Sequence, residues 1–332
     1  MESIFALAGQ NLSSPIILSF VLGVFAALAR SDLSFPEAAA KAMSLYLLFA
    51  IGFKGGASVA AYGLSLNLGM AILAGLFLSA VLPFVAFFLL KILTSLDTTN
   101  AAAVAGHYGS ISIVTFVAGT SILEAQGIAS EGFMVAVAAA MEAPAILSAL
   151  WLVARSKAGQ TNGGAQFDRR LLQEILFNGS IVLLVGSFLI GAVTGERGLA
   201  SIESFIVAPF QGVLCLFLLD MGLVAGRGLR DGGRVLKPGI FVFGVVMPLI
   251  GAMIGLALGA AIGLSAGGVA LLMVLSASAS YIAVPAAMRV ALPQADPAIY
   301  LTLSLGITFP FNLVIGLPVY VAVAQALLGG SS

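Results

Sequence analysis

Two short polar runs interrupt an otherwise oily sequence. The first is Gly106-His107-Tyr108-Gly109-Ser110-Ile111-Ser112-Ile113-Val114-Thr115. The second is Ser276-Ala277-Ser278-Ala279-Ser280-Tyr281-Ile282-Ala283-Val284-Pro285. They offer hydroxyls together with residues that let a helix break: Gly106 and Gly109 in one run, Pro285 in the other. A broken helix bares N–H groups where one half begins and carbonyls where the other ends. The first end attracts an anion and the second a cation, without any buried Lys or Arg. Short oxygen and N–H groups at low charge density suit the paired binding of a small anion and sodium. The same residues have a plainer reading: Gly and Ser at four-residue spacing let helices pack closely, with Ser bonding back to its own carbonyls.

Glu142, in Met141-Glu142-Ala143-Pro144, is the acid set deepest in an apolar run. A carboxylate there costs about 3 kcal/mol on insertion scales and marks a functional site by default. Pro144 frees backbone carbonyls close by, so the two could hold a sodium ion; the alternative is a protonated acid bonded to a neighbouring helix. The stretch Gly306-Ile307-Thr308-Phe309-Pro310-Phe311-Asn312 repeats the polarity through Thr308 and Asn312, without an acid. Asp220 has Arg227 two turns on, which predicts either a pairing at the interface or a part in transport. His107, the one histidine, is either a proton relay or a hydrogen-bonded wall residue. Lys54 is expected to snorkel to the outer surface, and Trp151 and Tyr46 to anchor or pack.

These residues must be carried by membrane helices. The 332 residues are 61% apolar and 8% charged, where a soluble domain carries about a quarter charged. That excludes a soluble enzyme, and disorder fails on the same count. No phosphate loop of the GxxxxGK[ST] type, no Cys/His cluster with metal-ligand spacing and no Ser/His/acid set is present. The expectation is therefore not an enzyme, with no cofactor and no transition metal. Zero net charge points to no nucleic-acid partner, and the single Cys215 forms no intrachain disulfide. Residues 1–13 lack a basic n-region, so the first apolar segment is read as a retained span.

Apolar runs of roughly 20 residues predict ten spans, near 14–29, 37–53, 66–92, 100–122, 131–154, 171–194, 203–225, 238–263, 267–289 and 296–327. With the N-terminus outside, 12 of the 14 Lys and Arg fall on the cytoplasmic side, leaving Lys54 and Arg197 outside. Both termini are then outside. Residues 155–170 (RSKAGQTNGGAQFDRR) read as a cytoplasmic linker between a first five-helix repeat, 1–154, and a second, 171–332. Five spans per half invert the halves relative to each other, a layout of secondary transporters. An offset of 166 carries Ser110 to Ser276, Ser112 to Ser278 and Pro144 to Pro310. Gly52 and Pro83 can be set beside Gly222 and Pro248 at nearby offsets. Each polar run lies roughly 14 Å into its span, close to the bilayer middle, so the two would meet there from opposite sides.

At this point the sequence resembles the sodium-dependent bicarbonate symporter family of cyanobacteria and its wider bacterial relatives. The likeness rests on Gly106–Ser112, on Met141-Glu142-Ala143-Pro144-Ala145, on the run Ser276–Arg289 and on Pro293–Tyr300. The resemblance implies an all-α polytopic protein of ten helices in two inverted repeats, with core and gate domains and broken fourth and ninth helices. It also implies a homotrimer in the bacterial plasma (inner) membrane and a bicarbonate and sodium site between those broken helices. Gly109, Ser110, Thr115, Ser278, Ala279, Ser280 and Tyr281 are the expected bicarbonate set. Ser110, Ser112, Glu142, Ser276 and Ser278 are the expected sodium set. Glu142 stands where the family usually has Asp, and Tyr281 where cyanobacterial members have an Asp, which bears on the sodium count and the substrate. Those members look to be regulated by a PII-like trimeric protein at the cytoplasmic face, whereas the linker here is much shorter. The expected function is sodium-coupled import of bicarbonate by alternating access. The alternatives are a symporter of a small organic monocarboxylate, suggested by Tyr281, and a passive anion channel.

Overall fold

A computed structural model of the chain describes residues 14–62, 66–157, 179–231, 237–281, 284–285, 287–288 and 292–329. All regular structure among them is helical. Eight helices are long and apolar enough to cross a membrane, and two shorter apolar helices, Pro15–Leu28 and Ala266–Ala277, join them. Most of the expected linker, from residue 158 to 170, lies outside the described residues, as do 171–178 of the sixth expected span.

The first helix among the described residues is α1 (Pro15–Leu28), capped by Ser14, whose hydroxyl accepts from Ile17 N. Then come α2 (Glu37–Tyr62) and α3 (Leu66–Leu93). The fourth expected span is two helices, α4 (Thr98–Gly109) and α5 (Ile113–Ala125). The fifth is also two, α6 (Met134–Ala140) and α7 (Glu142–Lys157). Next are α8 (Gly179–Ile206), α9 (Phe210–Asp231), α10 (Pro238–Ala261) and α11 (Ala266–Ala277). After α11 the chain leaves helical geometry at 278–281 and is helical again at Val284, Pro285, Ala287 and Met288. The last element, α12 (Pro297–Leu328), contains two π-helical stretches, Thr302–Thr308 and Asn312–Gly316.

Composition sorts these helices into outer and inner ones. Residues Ala101 to Gly109 of α4 and Gly267 to Ala277 of α11 are all buried. Small residues such as Ala101, Ala102, Ala103, Ala105 and Gly106 let neighbours approach α4 on every side. By contrast α8 presents Val182, Leu189, Ile190 and Val193, and α1 presents Leu18, Leu22 and Phe25, as exposed apolar faces. α2 packs chiefly on α8 and α1 on α9, while α10 lies along α11 and α3 along α4. The α1–α9 crossing is glycine on glycine. A Cβ on Gly23 would stand 2.1 Å from the Leu219 carbonyl oxygen, and one on Gly222 would stand 2.2 Å from that of Phe20.

The two buried half-helices begin with the same device. Asp97 caps α4 by accepting from Asn100 N at 3.0 Å. Burial alone would raise its carboxyl, but the N–H groups of Asn100 and Thr99 outweigh that and hold it below the usual carboxylate range. Asn100 Oδ1 then accepts from Asp296 N at 2.8 Å, fastening α4 to the turn before α12. Ser265 caps α11 by accepting from Gly268 N at 3.1 Å. Its own N–H and hydroxyl donate to Glu131 at 2.7 and 3.0 Å, fastening α11 to the turn before α6.

Three expectations are corrected. Lys54 does not end its helix at the surface: α2 runs on to Tyr62, and Lys54 Nζ pairs with Glu124 Oε1 at 2.6 Å, 5.4 Å from the centre of the Phe210 ring. A neutralised ammonium no longer has to terminate an apolar run. The expected loop around Arg197 is helical, because Gly195, at φ 60°, kinks α8 and the helix resumes as far as Ile206. Arg227 stands beyond ion-pair distance of Asp220 among the described residues, although its charge still acts on that carboxylate; its Nη2 donates to the Leu33 carbonyl at 2.8 Å. Tyr46 and Trp151 pack as expected, Tyr46 donating to the Phe205 carbonyl at 2.6 Å and Trp151 lying beneath Arg155.

Gly222→Ala should separate α1 from α9 at a cost of about 1–3 kcal/mol, the usual range for overpacking. Melting of the purified protein in detergent should fall by several degrees, and an unchanged melting temperature would contradict this crossing.

Candidate functional site

Both polar runs are helix breaks, and the breaks match. α4 and α11 are each 12 residues long, and each ends on a serine in extended geometry: Ser110 at φ −86°, ψ 169° and Ser278 at φ −83°, ψ 161°. The structural register between them is therefore 168, from 278 − 110, rather than the offset of 166 read from the sequence. Ser110 corresponds to Ser278 and Ser112 to Ser280, while Ser276 stands a half-turn earlier, inside α11.

The breaks are bonded across each other. Ser112 N donates to Ser278 Oγ at 2.9 Å, and Ser280 N donates to the His107 carbonyl at 2.8 Å. Ser278 Oγ in turn donates to the Leu275 carbonyl at 2.9 Å. Ser112 Oγ caps α5, accepting from Thr115 N at 3.2 Å and from Thr115 Oγ1 at 2.9 Å. The N–H groups of Ile111, Ile113 and Val114 have no acceptor among the described residues, and neither the Tyr108 nor the Gly109 carbonyl has a donor there. A half-helix start with free N–H groups and a half-helix end with free carbonyls therefore lie within a few residues of each other.

Glu142 reaches this place from a third break. α6 stops at Ala140 and α7 begins at Glu142, because Pro144 has no N–H with which to continue the ladder. Ser79 of α3 inserts its hydroxyl into the gap, donating to the Met141 carbonyl at 2.5 Å and accepting from Ala145 N at 3.1 Å. The 141–145 helical bond is thus replaced by a bridge through one side chain. Glu142 is held just above that bridge, 8% exposed, and Ser110 Oγ donates to its Oε2 at 2.6 Å. Its Oε1 accepts nothing among the described residues. Gly109 permits this approach, since a Cβ there would lie 2.3 Å from Pro83 Cγ and 2.8 Å from the Ser79 carbonyl oxygen.

On the other side of the crossing, Tyr281 packs edge-on against Phe309. Its hydroxyl lies beside Ser112 without a well-formed hydrogen bond. Thr308 donates to the Gly244 carbonyl at 2.7 Å and meets the Tyr108 hydroxyl at 2.5 Å. Asn312 Nδ2 donates to the Ala277 carbonyl at 2.8 Å. His107 is wholly buried, its Nδ1 against the Ala103 carbonyl and its ring stacked on Tyr300 with centroids 4.5 Å apart.

Of the expected residues, the structure gathers Gly109, Ser110, Ser112, Thr115, Glu142, Ser278, Ala279, Ser280 and Tyr281 around one crossing. Ser276 is not among them: its buried hydroxyl is unpaired and faces α10, where a Cβ on Gly255 would be 2.9 Å away. Ser79 escaped the sequence reading, because a serine inside Leu76-Phe77-Leu78-Ser79-Ala80-Val81 gives no sign that its hydroxyl serves another helix.

Residues 15–325 match the Na+-dependent bicarbonate transporter superfamily, and the chain belongs to that family. With eight helices among the described residues able to span a membrane, it is a multi-pass membrane protein of a transporter family. No individually curated protein matches the sequence.

Ser79→Ala should strand the Met141 carbonyl and the Ala145 N–H and destabilise the fold by about 1–3 kcal/mol. Ser148→Ala makes the comparison, because Ser148 Oγ only adds a second bond, at 2.8 Å, to the Ala80 carbonyl. Thermal melting in detergent should fall more for Ser79→Ala, and equal falls would refute the bridge.

Proposed function

Proceeding from that family membership, we propose that the chain is a sodium-coupled symporter that imports bicarbonate by alternating access. The observation that carries this reading is the Ser110–Glu142 hydrogen bond at 2.6 Å. It brings a buried acid to the open carbonyl end of α4, while the free N–H groups that begin α5 lie on the far side of the same break. Sodium is held by Glu142 with Ser110, Ser112 and Ser278, and offsets the anion's charge. Bicarbonate takes the open N–H groups that begin α5 and the hydroxyls of Thr115, Ser278, Ser280 and Tyr281, in the space that Gly109 and Ala279 leave beside them.

The same reading organises the molecule as ten spans in two inverted five-helix repeats, 1–154 and 171–332, joined by a cytoplasmic linker at 155–170. The support is the equal length of α4 and α11, their matching caps, and the way each is fastened to the opposite half. The pairs α1–α9 and α2–α8 pack mainly on each other and suit a gate against which the buried core moves. Three such copies assemble in a bacterial plasma membrane with both termini outside, and a PII-like protein is the candidate regulator at the cytoplasmic face.

A second reading keeps this fold and exchanges bicarbonate for a small monocarboxylate. It is favoured by Tyr281, whose unpaired hydroxyl and apolar ring both face the crossing region. Acetate- to pyruvate-sized acids should compete with labelled bicarbonate on this reading and leave uptake untouched on the first.

In proteoliposomes, an inward sodium gradient should drive uptake of labelled bicarbonate. Glu142→Gln and Ser110→Ala should each lower that uptake about tenfold or more, the equivalent of ~1.4 kcal/mol or more of lost binding. Both variants should keep the elution volume of the parent protein. Uptake indifferent to sodium rejects the symport, and normal uptake by both variants rejects the site.

A further inference from the structure

The two matched breaks differ at one carbonyl. At the end of α11 the Ala277 carbonyl accepts from Asn312 Nδ2 at 2.8 Å. Asn312 is buried at the start of the second π-helical stretch, and its Oδ1 accepts from the Tyr320 hydroxyl at 2.9 Å, which fixes the amide with its nitrogen toward α11. In the register of 168, the carbonyl at the same place in α4 is that of Gly109, which accepts no hydrogen bond among the described residues. The residue corresponding to Asn312 in the first half, at the offset of 166 shared by Pro144 and Pro310, is the apolar Ile146.

An amide NH2 presents two partly positive hydrogens and no lone pair for a metal. Set before the carbonyl end of a helix, it occupies the position that a cation would take. Of the other oxygens around the second break, those of Thr308 and Ser278 are engaged, and the unpaired Ser276 hydroxyl is turned away. Thr308, which stands in the second half where Glu142 stands in the first, donates to the Gly244 carbonyl and contacts Tyr108. Ser278 Oγ donates to the Leu275 carbonyl. Ser276 faces α10. No carboxylate touches this break among the described residues, whereas Glu142 stands at the first with Oε1 unengaged.

We infer that each cycle couples one cation, bound on the α4 side by Glu142, and that Asn312 closes the equivalent α11 position by occupying the Ala277 carbonyl. The inference rests on the sodium-coupled reading above and gives it a stoichiometry. One monovalent cation with one bicarbonate moves no net charge, so the loaded carrier is electroneutral.

The test is uptake into proteoliposomes with radioactive sodium and labelled bicarbonate, at membrane potentials set by potassium and valinomycin. The parent protein should take up the two labels in equal amounts, with a Hill coefficient for sodium of about one. A change of roughly 100 mV in potential should leave the flux unaltered. Asn312→Asp removes the NH2 donor and supplies a carboxylate, so its Hill coefficient should rise toward two and its uptake should quicken when the inside is negative. Two sodium ions per bicarbonate, or voltage-driven uptake, in the parent protein overturns the inference while leaving sodium coupling intact. An Asn312→Asp protein that transports with unchanged sodium order overturns the role given to Asn312. Should that variant not fold, the parent's label ratio and voltage response decide the matter alone. Uptake indifferent to sodium instead removes the symport on which the inference stands.

Discussion

Inside a bilayer no water is available to a backbone group that lacks a partner, so a helix that stops halfway must account for several N–H and carbonyl groups by other means. This chain stops three helices in its interior, at Gly109, Ala140 and Ala277. Several of the buried polar side chains described above meet that demand. Ser112 caps the restart at α5, Ser79 replaces the missing bond at α7, and Asn312 closes α11. Ser278 and the His107 carbonyl accept N–H groups from the opposite break. Around the first break, this accounting leaves open two carbonyls at the end of α4, three N–H groups beside α5 and one carboxylate oxygen among the described residues, with the unpaired Tyr281 hydroxyl beside them. Those open groups are the ones the proposed site for an ion and a small anion draws on.

The class and the helices were legible because the signals that carry them are long. Apolar runs interrupted by few charges located α1, α3, α4, α5 and α10 to within a few residues, and the glycine, serine and proline content of two of the spans foretold that they would break. Where the reading failed, a partner distant in sequence had changed the meaning of a residue. Lys54 looked like a terminus because nothing near it in sequence could neutralise it, and Glu124 lies 70 residues away. Gly195 looked like a loop, yet one left-handed glycine can turn a helix without ending it.

The register between α4 and α11 shows the same limit at finer scale. Serines alternate at 276, 278 and 280, so a shift of two residues gives nearly as good a match, and Ser110 could be laid against either Ser276 or Ser278. Only cap geometry separates the choices, and it selects Ser278. That shift matters chemically, because it takes Ser276 away from the crossing and sets Ala277 opposite Gly109. Ser79 carried no signal at all. Its contribution depends on reaching a gap that Pro144 opens on another helix, and neither residue's neighbours reveal that meeting.

On the proposed mechanism an alternating carrier must also return empty, and this would constrain how its polar groups are satisfied. Groups left bare in hydrocarbon would cost more than a small ligand could offset on binding, and groups bonded too well would not yield to it. The crossing avoids both extremes. Three of its hydroxyls are held by side-chain partners, Ser112 with Thr115 and Ser110 with Glu142, through hydrogen bonds that a hydroxyl can redirect by rotation about a single bond. A cation arriving at Glu142 needs the Ser110 proton to turn away, which exposes the serine oxygen as a further ligand. The backbone groups, which cannot rotate, are the ones left open beforehand. Fixed dipoles supply the direction of binding and mobile hydroxyls supply its reversibility, so the fold can stay rigid around a site that fills and empties.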